Sequence, residues 1–206
     1  AKQGQSRLPR IRDKQGRSTQ LDRFPMGRMG QVITSVTTNF YRITEVFPDK
    51  VLHRLQKEFA DRNNWQKQPN IKGTRLASVP NLELQQDLKF NYLVGVKQFV
   101  ESVLNKETFW NGPVLWHDPI GYMNQCHKDQ SENLTVNLQV YLSDGSDTQG
   151  THFKNNDKWY SVPYGCNTGY LMFYPTKHEH GMKHTSSDIR QSLYQSLRLT
   201  KDEMEW

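Results

Sequence analysis

Two residues with metal-binding side chains, His127 and Asp129, stand two positions apart. In an extended chain this spacing points both side chains to the same side, so an imidazole and a carboxylate could hold one metal ion. The pattern His-x-Asp is common by chance, and its context gives it weight. The pair directly precedes a strongly alternating segment, and further histidines follow later in the chain. The sequence therefore predicts a metal site completed by a distal histidine.

The distal position has several candidates. Three histidines lie in one segment and compete for it: His178, His180 and His184. Two other histidines are weaker candidates. His117 is adjacent to Asp118, and adjacent residues point to opposite faces of a strand. We interpret His117 and His152 as pocket or surface residues.

The alternating segment runs from Leu134 to Leu142 and predicts a strand with two different faces. Its apolar residues share one face: Leu134, Val136, Leu138, Val140 and Leu142. The other face holds the remaining residues: Thr135, Asn137, Gln139 and Tyr141. If the apolar face is buried, the polar face lies in water or lines a cavity, and the neighbouring metal residues favour a cavity.

Two further strand-like segments carry the other candidates. Thr168 to Tyr174 leads into the histidine-rich segment, and Arg190 opens a stretch that ends at Leu199. Arg190 and Ser192 are two positions apart and therefore share a face. From about residue 113 onwards, short β segments alternate with Gly, Asp, Asn and Pro turns. This texture is typical of an all-β sandwich or barrel.

Helical patterns occupy the preceding part of the chain. Pro48 stands where a helix could begin, and apolar residues follow at positions 51, 52, 55 and 59. We therefore predict an amphipathic helix over about 48–62. A second helix is predicted over about 84–104, with Gly95 as a weak point in its middle. Helical support thus extends over about 48–105.

Basic residues are concentrated at the N-terminus. Residues 1–30 hold eight basic and two acidic side chains, which equals the net charge of +6 for the whole chain. This segment is polar and lacks apolar periodicity, so we interpret it as an arm that precedes a single domain over 31–206. Because the body has no net charge, the high isoelectric point is weak support for nucleic-acid binding.

The composition excludes several classes of protein. No segment approaches the roughly 18 consecutive apolar residues of a membrane span, and the N-terminus has no apolar stretch of a secretory signal. The two cysteines, Cys126 and Cys166, cannot form a disulfide scaffold and lack the spacing of a zinc site. We expect a cytoplasmic protein with no membrane partner. The sequence does not indicate an oligomeric state.

The order of the candidates resembles a known motif. His127-x-Asp129, then His180, then Arg190-x-Ser192 is similar to the motif of the Fe(II)/2-oxoglutarate-dependent dioxygenase superfamily, in which HxD is followed by a distal His and by Arg, often as RxS. The separation of His180 from Arg190 matches the family, whereas the other two histidines of the segment stand too far from Arg190 or too near it. The resemblance therefore selects His180.

Flanking segments extend the resemblance to about residues 113–199. The segments 140–142, 150–151 and 169–173 are similar to family strands and to a family turn. The chain compares best with compact, prolyl-hydroxylase-like members, including small ones from bacteria and phages. The resemblance implies a mainly β (α+β) fold. Its core is a double-stranded β-helix of the jelly-roll or cupin type over about 113–199, with supporting N-terminal helices.

The resemblance also implies ligands and roles. It implies Fe(II) held by the two histidines and Asp129, and 2-oxoglutarate and O₂ as cosubstrates, with ascorbate as a candidate reductant. A guanidinium can bond both oxygens of a carboxylate, so Arg190 would hold the far carboxylate of 2-oxoglutarate. Three residues are candidates for further cosubstrate contacts: Ser192, Tyr141 and Asn124. Others are candidates for the substrate pocket: Tyr122, Gln139, Trp159 and Trp116.

The implied activity is hydroxylation of a C–H bond with release of succinate and CO₂. Asp129 favours hydroxylation over halogenation, because halogenating relatives have a small residue there. Two alternatives remain, a non-catalytic cupin-like metal-binding module and a nucleic-acid-directed oxygenase that uses the basic arm. Arg190 argues against the first, since a bare metal site needs no dicarboxylate anchor. The substrate is not specified, and the family pattern gives a modest preference for a peptide or prolyl group or an amino acid.

Overall fold

The structure is a computed structural model that describes residues 11–12, 18–19, 24–26, 30–61, 65–68, 75–131, 134–145, 150–183 and 189–199. Within these ranges the strands are, in chain order, β1 (Ile11–Arg12), β2 (Ser18–Thr19), β3 (Phe24–Met26), β4 (Gln31–Thr37), β5 (Phe40–Thr44), β6 (Gln66–Lys67), β7 (Leu76–Ser78), β8 (Phe109–Trp110), β9 (Val114–Asp118), β10 (Met123–His127), β11 (Leu134–Tyr141), β12 (Thr151–Asn155), β13 (Lys158–Ser161), β14 (Thr168–Phe173), β15 (His180–Lys183) and β16 (Arg190–Arg198). The helices are α1 (Asp49–Ala60), α2 (Leu82–Asp87) and α3 (Val94–Leu104).

The helices agree with the periodicity of the sequence. The four apolar residues predicted to share a face of α1 are buried, and Pro48 precedes its first turn, where a missing N–H is not needed. The second predicted helix is confirmed with one change, because a π-helical turn over Leu88–Tyr92 separates α2 from α3. Gly95 lies in the first turn of α3 and is buried. None of the described helices is long and apolar enough to cross a membrane.

Two antiparallel sheets form the core. The main sheet has the order β3-β4-β5-β14-β11-β16-β9-β7-β6, and β8 pairs with the end of β16. The minor sheet has the order β10-β15-β12-β13. β1 and β2 pair only with each other among the described strands. The main sheet takes in β3, which lies within the segment interpreted as an arm.

Three layers follow from the side-chain packing. The helices cover one face of the main sheet, where α1 and α3 pack with residues such as Leu138, Leu171 and Leu193. The minor sheet covers the other face, where Phe153 of β12 stacks on Phe40 of β5 with ring centroids 3.7 Å apart. Each central strand therefore sends alternate side chains to the helices and to the second sheet.

β11 shows how this layering positions the polar residues. Val136, Leu138 and Val140 are fully buried in the cluster beneath the helices, as the alternation predicts. Asn137 and Gln139 point to the opposite side, where they line a pocket between the two sheets. The predicted two-faced strand is thus confirmed, and its polar face lines a cavity.

Candidate metal and dicarboxylate site

The predicted metal ligands meet at one end of the minor sheet. His127 ends β10 and His180 opens β15, and the two residues are direct partners in the pairing of these strands. Asp129 follows in the next loop, where its backbone N–H donates to the carbonyl of Pro175. Its Oδ1 lies 3.3 Å from Nε2 of His127 and 3.4 Å from Nε2 of His180. Ligand atoms about 2.1 Å from a shared ion at right angles would lie about 3 Å apart, so these spacings suit one metal.

Hydrogen bonds leave the right atoms free for a metal. Nδ1 of His127 donates to the carbonyl of Gln125 at 2.8 Å, and Nδ1 of His180 donates to that of His178 at 3.1 Å. Each Nε2 is thereby turned inward towards Oδ1 of Asp129, the direction from which it could bind a shared metal ion. Asn137 donates to Oδ2 of Asp129 at 2.8 Å, which leaves Oδ1 directed at both rings.

The charges of these groups are coupled. Burial alone would raise the pKa of Asp129, but hydrogen bonds from His127, His180 and Asn137 hold the pKa well below its usual range. The hydrogen bond to Asp129 raises the pKa of His127 above its ordinary value, although burial opposes this. The carboxylate is therefore ionised at neutral pH, as a metal ligand must be.

The other histidines do not join this cluster. His178 accepts a hydrogen bond from Asn39 through Nε2 at 3.1 Å, and its ring lies edge-on to Phe40. His117 lies on β9 with its ring edge-on to Trp65. His152 lies on β12 and is outside the group that could hold a metal. His184, the third distal candidate, lies outside the described residues.

A close backbone approach keeps the two histidines together. At Gly181, directly after His180, an added Cβ would lie 2.8 Å from the carbonyl oxygen of Asn124 and 2.9 Å from the backbone nitrogen of Cys126. The register also shifts between Asn124 and His127, as in a β-bulge. This shift interrupts the strict alternation of β10, so Asn124 lines the same pocket as His127 although the two differ in parity.

The other end of the pocket holds two arginines and one carboxylate. Arg190 is 1% exposed, and its Nη1 donates to Oδ2 of Asp118 at 3.0 Å. Arg75 binds the same carboxylate with Nε and Nη2, at 2.5 and 2.9 Å. Burial alone would raise the pKa of Asp118, but the two guanidinium groups hold it below its usual range. Nε of Arg190 is buried and has no hydrogen-bond partner among the described residues.

A polar network extends from Arg190 along the wall of the pocket. Arg190 Nη2 donates to Oγ1 of Thr151 at 3.3 Å, and Thr151 in turn donates to Oε1 of Gln139 at 3.4 Å. Tyr170 donates to the same amide oxygen at 2.9 Å, and the amide nitrogen of Gln139 donates to Ser192 at 2.9 Å. These hydrogen bonds hold the polar side chains of the pocket wall in place.

Some predicted cosubstrate contacts lie behind this wall. Ser192 is fully buried and accepts the hydrogen bond from Gln139. The hydroxyl of Tyr141 donates to Thr151 at 3.1 Å, and its ring lies 5.0 Å from the guanidinium carbon of Arg190. Neither residue lines the pocket, whereas Asn124 does. Tyr141 and Ser192 thus contact residues that line the pocket.

Of the predicted substrate-pocket residues, some line the pocket and others do not. Gln139 and Trp116 line the pocket, and the Trp116 ring stacks on Tyr194 with centroids 4.2 Å apart. Tyr122 is buried beside Arg75, and its hydroxyl has no hydrogen-bond partner within the described ranges. Trp159 lies on β13, is 51% exposed and does not line the pocket.

Sequence reasoning missed Arg75 and the role of Asp118. His117 and Asp118 do face opposite sides of β9, and Asp118 lies behind the pocket wall, where it binds the pocket-lining Arg75 and Arg190. Asp118 ends β9 directly opposite Arg190 of β16. This pairing depends on the register of the two strands, which neither segment shows by itself. Arg75 directly precedes the short strand β7, and the sequence around it gives no local signal for its role.

Comparisons with known proteins give similarity in structure alone. No protein-family model and no curated protein sequence matches this chain. Among solved structures, HygX from Streptomyces hygroscopicus with nickel, 2-oxoglutarate and hygromycin B bound is similar, with a TM-score of 0.64 and 13% identity over 80% of this chain and 84% of that one.

Two prolyl hydroxylases are also similar. The Pseudomonas putida prolyl-4-hydroxylase has a TM-score of 0.63 and 14% identity, over 79% of this chain and 93% of that one. A Trichoplax adhaerens prolyl hydroxylase, solved with a hypoxia inducible factor degradation-domain peptide, has a TM-score of 0.60 and 10% identity, over 79% and 84%. The implied fold is thereby confirmed: the chain has the jelly-roll core of the 2-oxoglutarate- and Fe(II)-dependent oxygenases.

Proposed function

We propose that this chain is an Fe(II)- and 2-oxoglutarate-dependent dioxygenase that hydroxylates a C–H bond of its substrate. One observation carries the proposal. A single pocket has a site for a divalent metal at one end, formed by two histidines and Asp129, and a buried cationic group at the other, formed around Arg190. A dicarboxylate with a metal-chelating head and a distant carboxylate fits both ends at once.

The donor set fits ferrous iron. Two imidazole nitrogens and one carboxylate oxygen on one side of an ion leave open positions on the other, as in non-haem Fe(II) oxygenases. The fixed hydrogen bonds of both Nδ1 atoms and of Asp129 Oδ2 favour this use, because each directs the remaining ligand atom inward. The cluster contains no cysteine, which argues against a structural zinc site of the thiolate type.

The charges fit a dianion. At the far end, Asp118 pairs with Arg75 and Arg190, so this end has one positive charge in excess. At the metal end, Asp129 would leave one positive charge of a divalent ion in excess. A ligand with one carboxylate at each end neutralises both charges, and 2-oxoglutarate is such a ligand. A monocarboxylate would leave one of the charges buried and unpaired.

The protein's part in the reaction is to position and shield the reactants. Bound Fe(II) and 2-oxoglutarate would supply the oxidising chemistry, in which O₂ oxidises a substrate C–H bond and 2-oxoglutarate is converted to succinate and CO₂. Arg190 holds the cosubstrate by its far carboxylate. Thr151, Gln139 and Tyr170 fix the pocket wall by their hydrogen bonds, and Trp116 stacked on Tyr194 limits access of water.

For the primary substrate we propose a peptide, with a prolyl or amino-acid group as the oxidised part. Support comes from the prolyl-hydroxylase-like order of the motif and from the prolyl hydroxylases among the similar structures. The HygX structure holds hygromycin B instead, so the fold is not restricted to peptides. A screen for succinate release across peptides, amino acids, sugars and nucleobases would test this choice.

The cosubstrate claim has a direct test. Anaerobic addition of Fe(II) and 2-oxoglutarate should produce a visible charge-transfer band, and admission of air should then release succinate slowly even without substrate. If neither the band nor succinate appears, the oxygenase proposal fails. A protein that binds Fe(II) with unchanged affinity in the presence and absence of 2-oxoglutarate would instead be a metal-binding module without turnover.

A further inference from the structure

Arg75 and Asp118 lie at the far end of the pocket, and the motif that predicts the site assigns a role to neither. Their side chains are 3% and 0% exposed. Buried charges are costly unless they are paired. Even a buried ion pair often adds little to stability, because the cost of desolvating both charges offsets their attraction. Two buried arginines that share one carboxylate beside a pocket therefore call for an explanation beyond folding.

The geometry makes Asp118 a bridge. Its Oδ1 accepts from Nε of Arg75 at 2.5 Å, and its Oδ2 accepts from Nη2 of Arg75 at 2.9 Å and from Nη1 of Arg190 at 3.0 Å. Asp118 and Arg190 are also direct partners in the pairing of β9 with β16. The carboxylate thus has its position set by the sheet and restrains one end of the Arg190 guanidinium.

Aromatic rings hold Arg75 in turn. Its guanidinium carbon lies 4.0 Å from the ring centroid of Trp116 and 4.8 Å from that of Tyr122. Stacked and bidentate contacts of this kind suit arginine and not lysine. Arg75 is therefore fixed by two rings and by both oxygens of Asp118.

The charge balance explains why two arginines are needed. If Asp118 faced Arg190 alone, the pair would be neutral, and the carboxylate of an incoming ligand would meet an arginine whose charge is already cancelled. Arg75 adds one positive charge, so the group remains cationic while Asp118 restrains Arg190. The same carboxylate can then orient the arginine without abolishing its attraction for an anion.

We propose that Asp118 and Arg75 complete the 2-oxoglutarate site: Asp118 is a positioning residue for Arg190, and Arg75 supplies the charge that keeps Arg190 able to bind a carboxylate. This inference rests on the proposed function, because it concerns the same cosubstrate. An arginine held at a fixed distance from the metal favours one length of dicarboxylate.

A charge series tests the role of Arg75. Ni(II)-loaded protein would be titrated with 2-oxoglutarate in a calorimeter. The variant Arg75→Met should weaken binding at least about tenfold, because the group loses its excess charge. Adding Asp118→Asn to it leaves Arg190 without a neutralising partner, so the double variant should bind more tightly than Arg75→Met alone.

The controls separate this effect from misfolding. Arg54, an arginine of α1 paired with Glu83 and Asp87 away from the pocket, provides the matched variant Arg54→Met, which should bind 2-oxoglutarate normally. Arg75→Lys keeps the charge and should bind more tightly than Arg75→Met even if both are less stable. Normal binding by Arg75→Met, or a double variant no better than Arg75→Met, would overturn the inference.

Ligand length tests the role of Asp118. The protein should prefer 2-oxoglutarate to 2-oxoadipate, which is one methylene longer, and Asp118→Asn should reduce this preference at least about threefold because Arg190 can then move. A purely structural role would lower the folded fraction without changing the ratio of the two affinities. An unchanged ratio in folded Asp118→Asn protein, verified by circular dichroism at low temperature, would refute the positioning role.

The outcomes also separate this inference from the proposed function. If the unsubstituted Ni(II)-loaded protein does not bind 2-oxoglutarate, the proposed function fails and this inference fails with it. If the unsubstituted protein binds 2-oxoglutarate, but the Arg75 and Asp118 variants keep its affinity and length preference, only the inference fails.

Discussion

At the scale of single residues, the metal end depends on which histidine completes it. His178 and His180 have the same parity, so strand alternation cannot separate them. In the structure His178 lies in the turn before β15, where its carbonyl accepts from the ring of His180. Its own ring faces Asn39 and Phe40. His178, which competes with His180 in the sequence, therefore supports the ring of His180, the proposed ligand.

Replacing His180 by Ala should abolish tight metal binding, because one of three ligand atoms is lost. Titration with Co(II), followed by its visible absorption, measures this. We expect the affinity to fall by at least about a hundredfold, or roughly 3 kcal/mol. His178→Ala is the matched control, since its backbone carbonyl remains, and it should lose little affinity. If His178→Ala loses metal and His180→Ala keeps it, the ligand has been assigned to the wrong histidine.

Replacing Arg190 by Leu should weaken the binding of 2-oxoglutarate far more than the binding of the metal. In the proposed function the buried guanidinium of Arg190 binds the far carboxylate of 2-oxoglutarate, and loss of a charge-assisted pair of this kind costs about 2–4 kcal/mol. Metal affinity without 2-oxoglutarate should change little, because Arg190 contacts none of the three ligands. Parallel titrations with Co(II) and with 2-oxoglutarate measure both. Equal losses of the two affinities would contradict the assigned role.

The buried carboxylate Asp118 should show in the acid stability of the protein. Its pKa is lower in the folded chain than in the unfolded chain, so its stabilisation is present above the ordinary Asp value of about 4 and is lost as pH falls below it. Asp118→Asn should thus reduce the free energy of unfolding by about 3 kcal/mol at pH 7. In urea titrations the difference from the unsubstituted protein should shrink at pH 3.5. A difference independent of pH would indicate that the charge of Asp118 has no part in it.

At the scale of elements, sequence periodicity predicts what is local. The buried face of α1 follows from helical spacing and that of β11 from strand alternation, each within one segment, and both predictions are confirmed. The pairing of Asp118 with Arg190 depends on the register of β9 against β16, which no single segment contains. The β-bulge in β10 is likewise not predictable from one segment, because it is a shift in the register of β10 against β15. These features require the assembled sheet.

Replacing Gly181 by Ala should disturb both histidine ligands at once. The new Cβ would lie within 3 Å of backbone atoms of β10, which cannot move aside as a flexible side chain can. β10 and β15 would separate, and His127 would move away from His180. We expect metal affinity to fall at least about tenfold while the protein remains folded. Co(II) titration with a circular dichroism control measures this.

Gly165 offers the matched control for this change. An added Cβ there would meet only side-chain atoms of Thr168 at 3.7 and 3.9 Å, which is ordinary contact. Gly165→Ala should therefore bind metal as the unsubstituted protein does. If Gly181→Ala also keeps full affinity, the close approach of β10 and β15 does not position the ligands.

At the scale of the whole molecule, the pocket lies between the two sheets, and both sheets contribute side chains that line it. The minor sheet carries His127 and His180, and the main sheet carries Arg190 and Asn137. A ligand that binds at both ends therefore connects the two layers. The basic arm is largely outside the described residues, and its role stays a prediction from charge alone.

Because the proposed position of 2-oxoglutarate connects both layers, metal and 2-oxoglutarate together should stabilise the fold more than the sum of their separate effects. A ligand at about a hundred times its dissociation constant adds about 2.7 kcal/mol, or roughly 5–10 °C in Tm for a domain of this size. Differential scanning of the chain with Ni(II), with 2-oxoglutarate and with both measures this under conditions in which no turnover occurs. Arg190→Leu should keep the shift caused by Ni(II) and lose the additional one. Shifts that merely add would show that the two ends bind independently, because a ligand that spans the pocket must couple them.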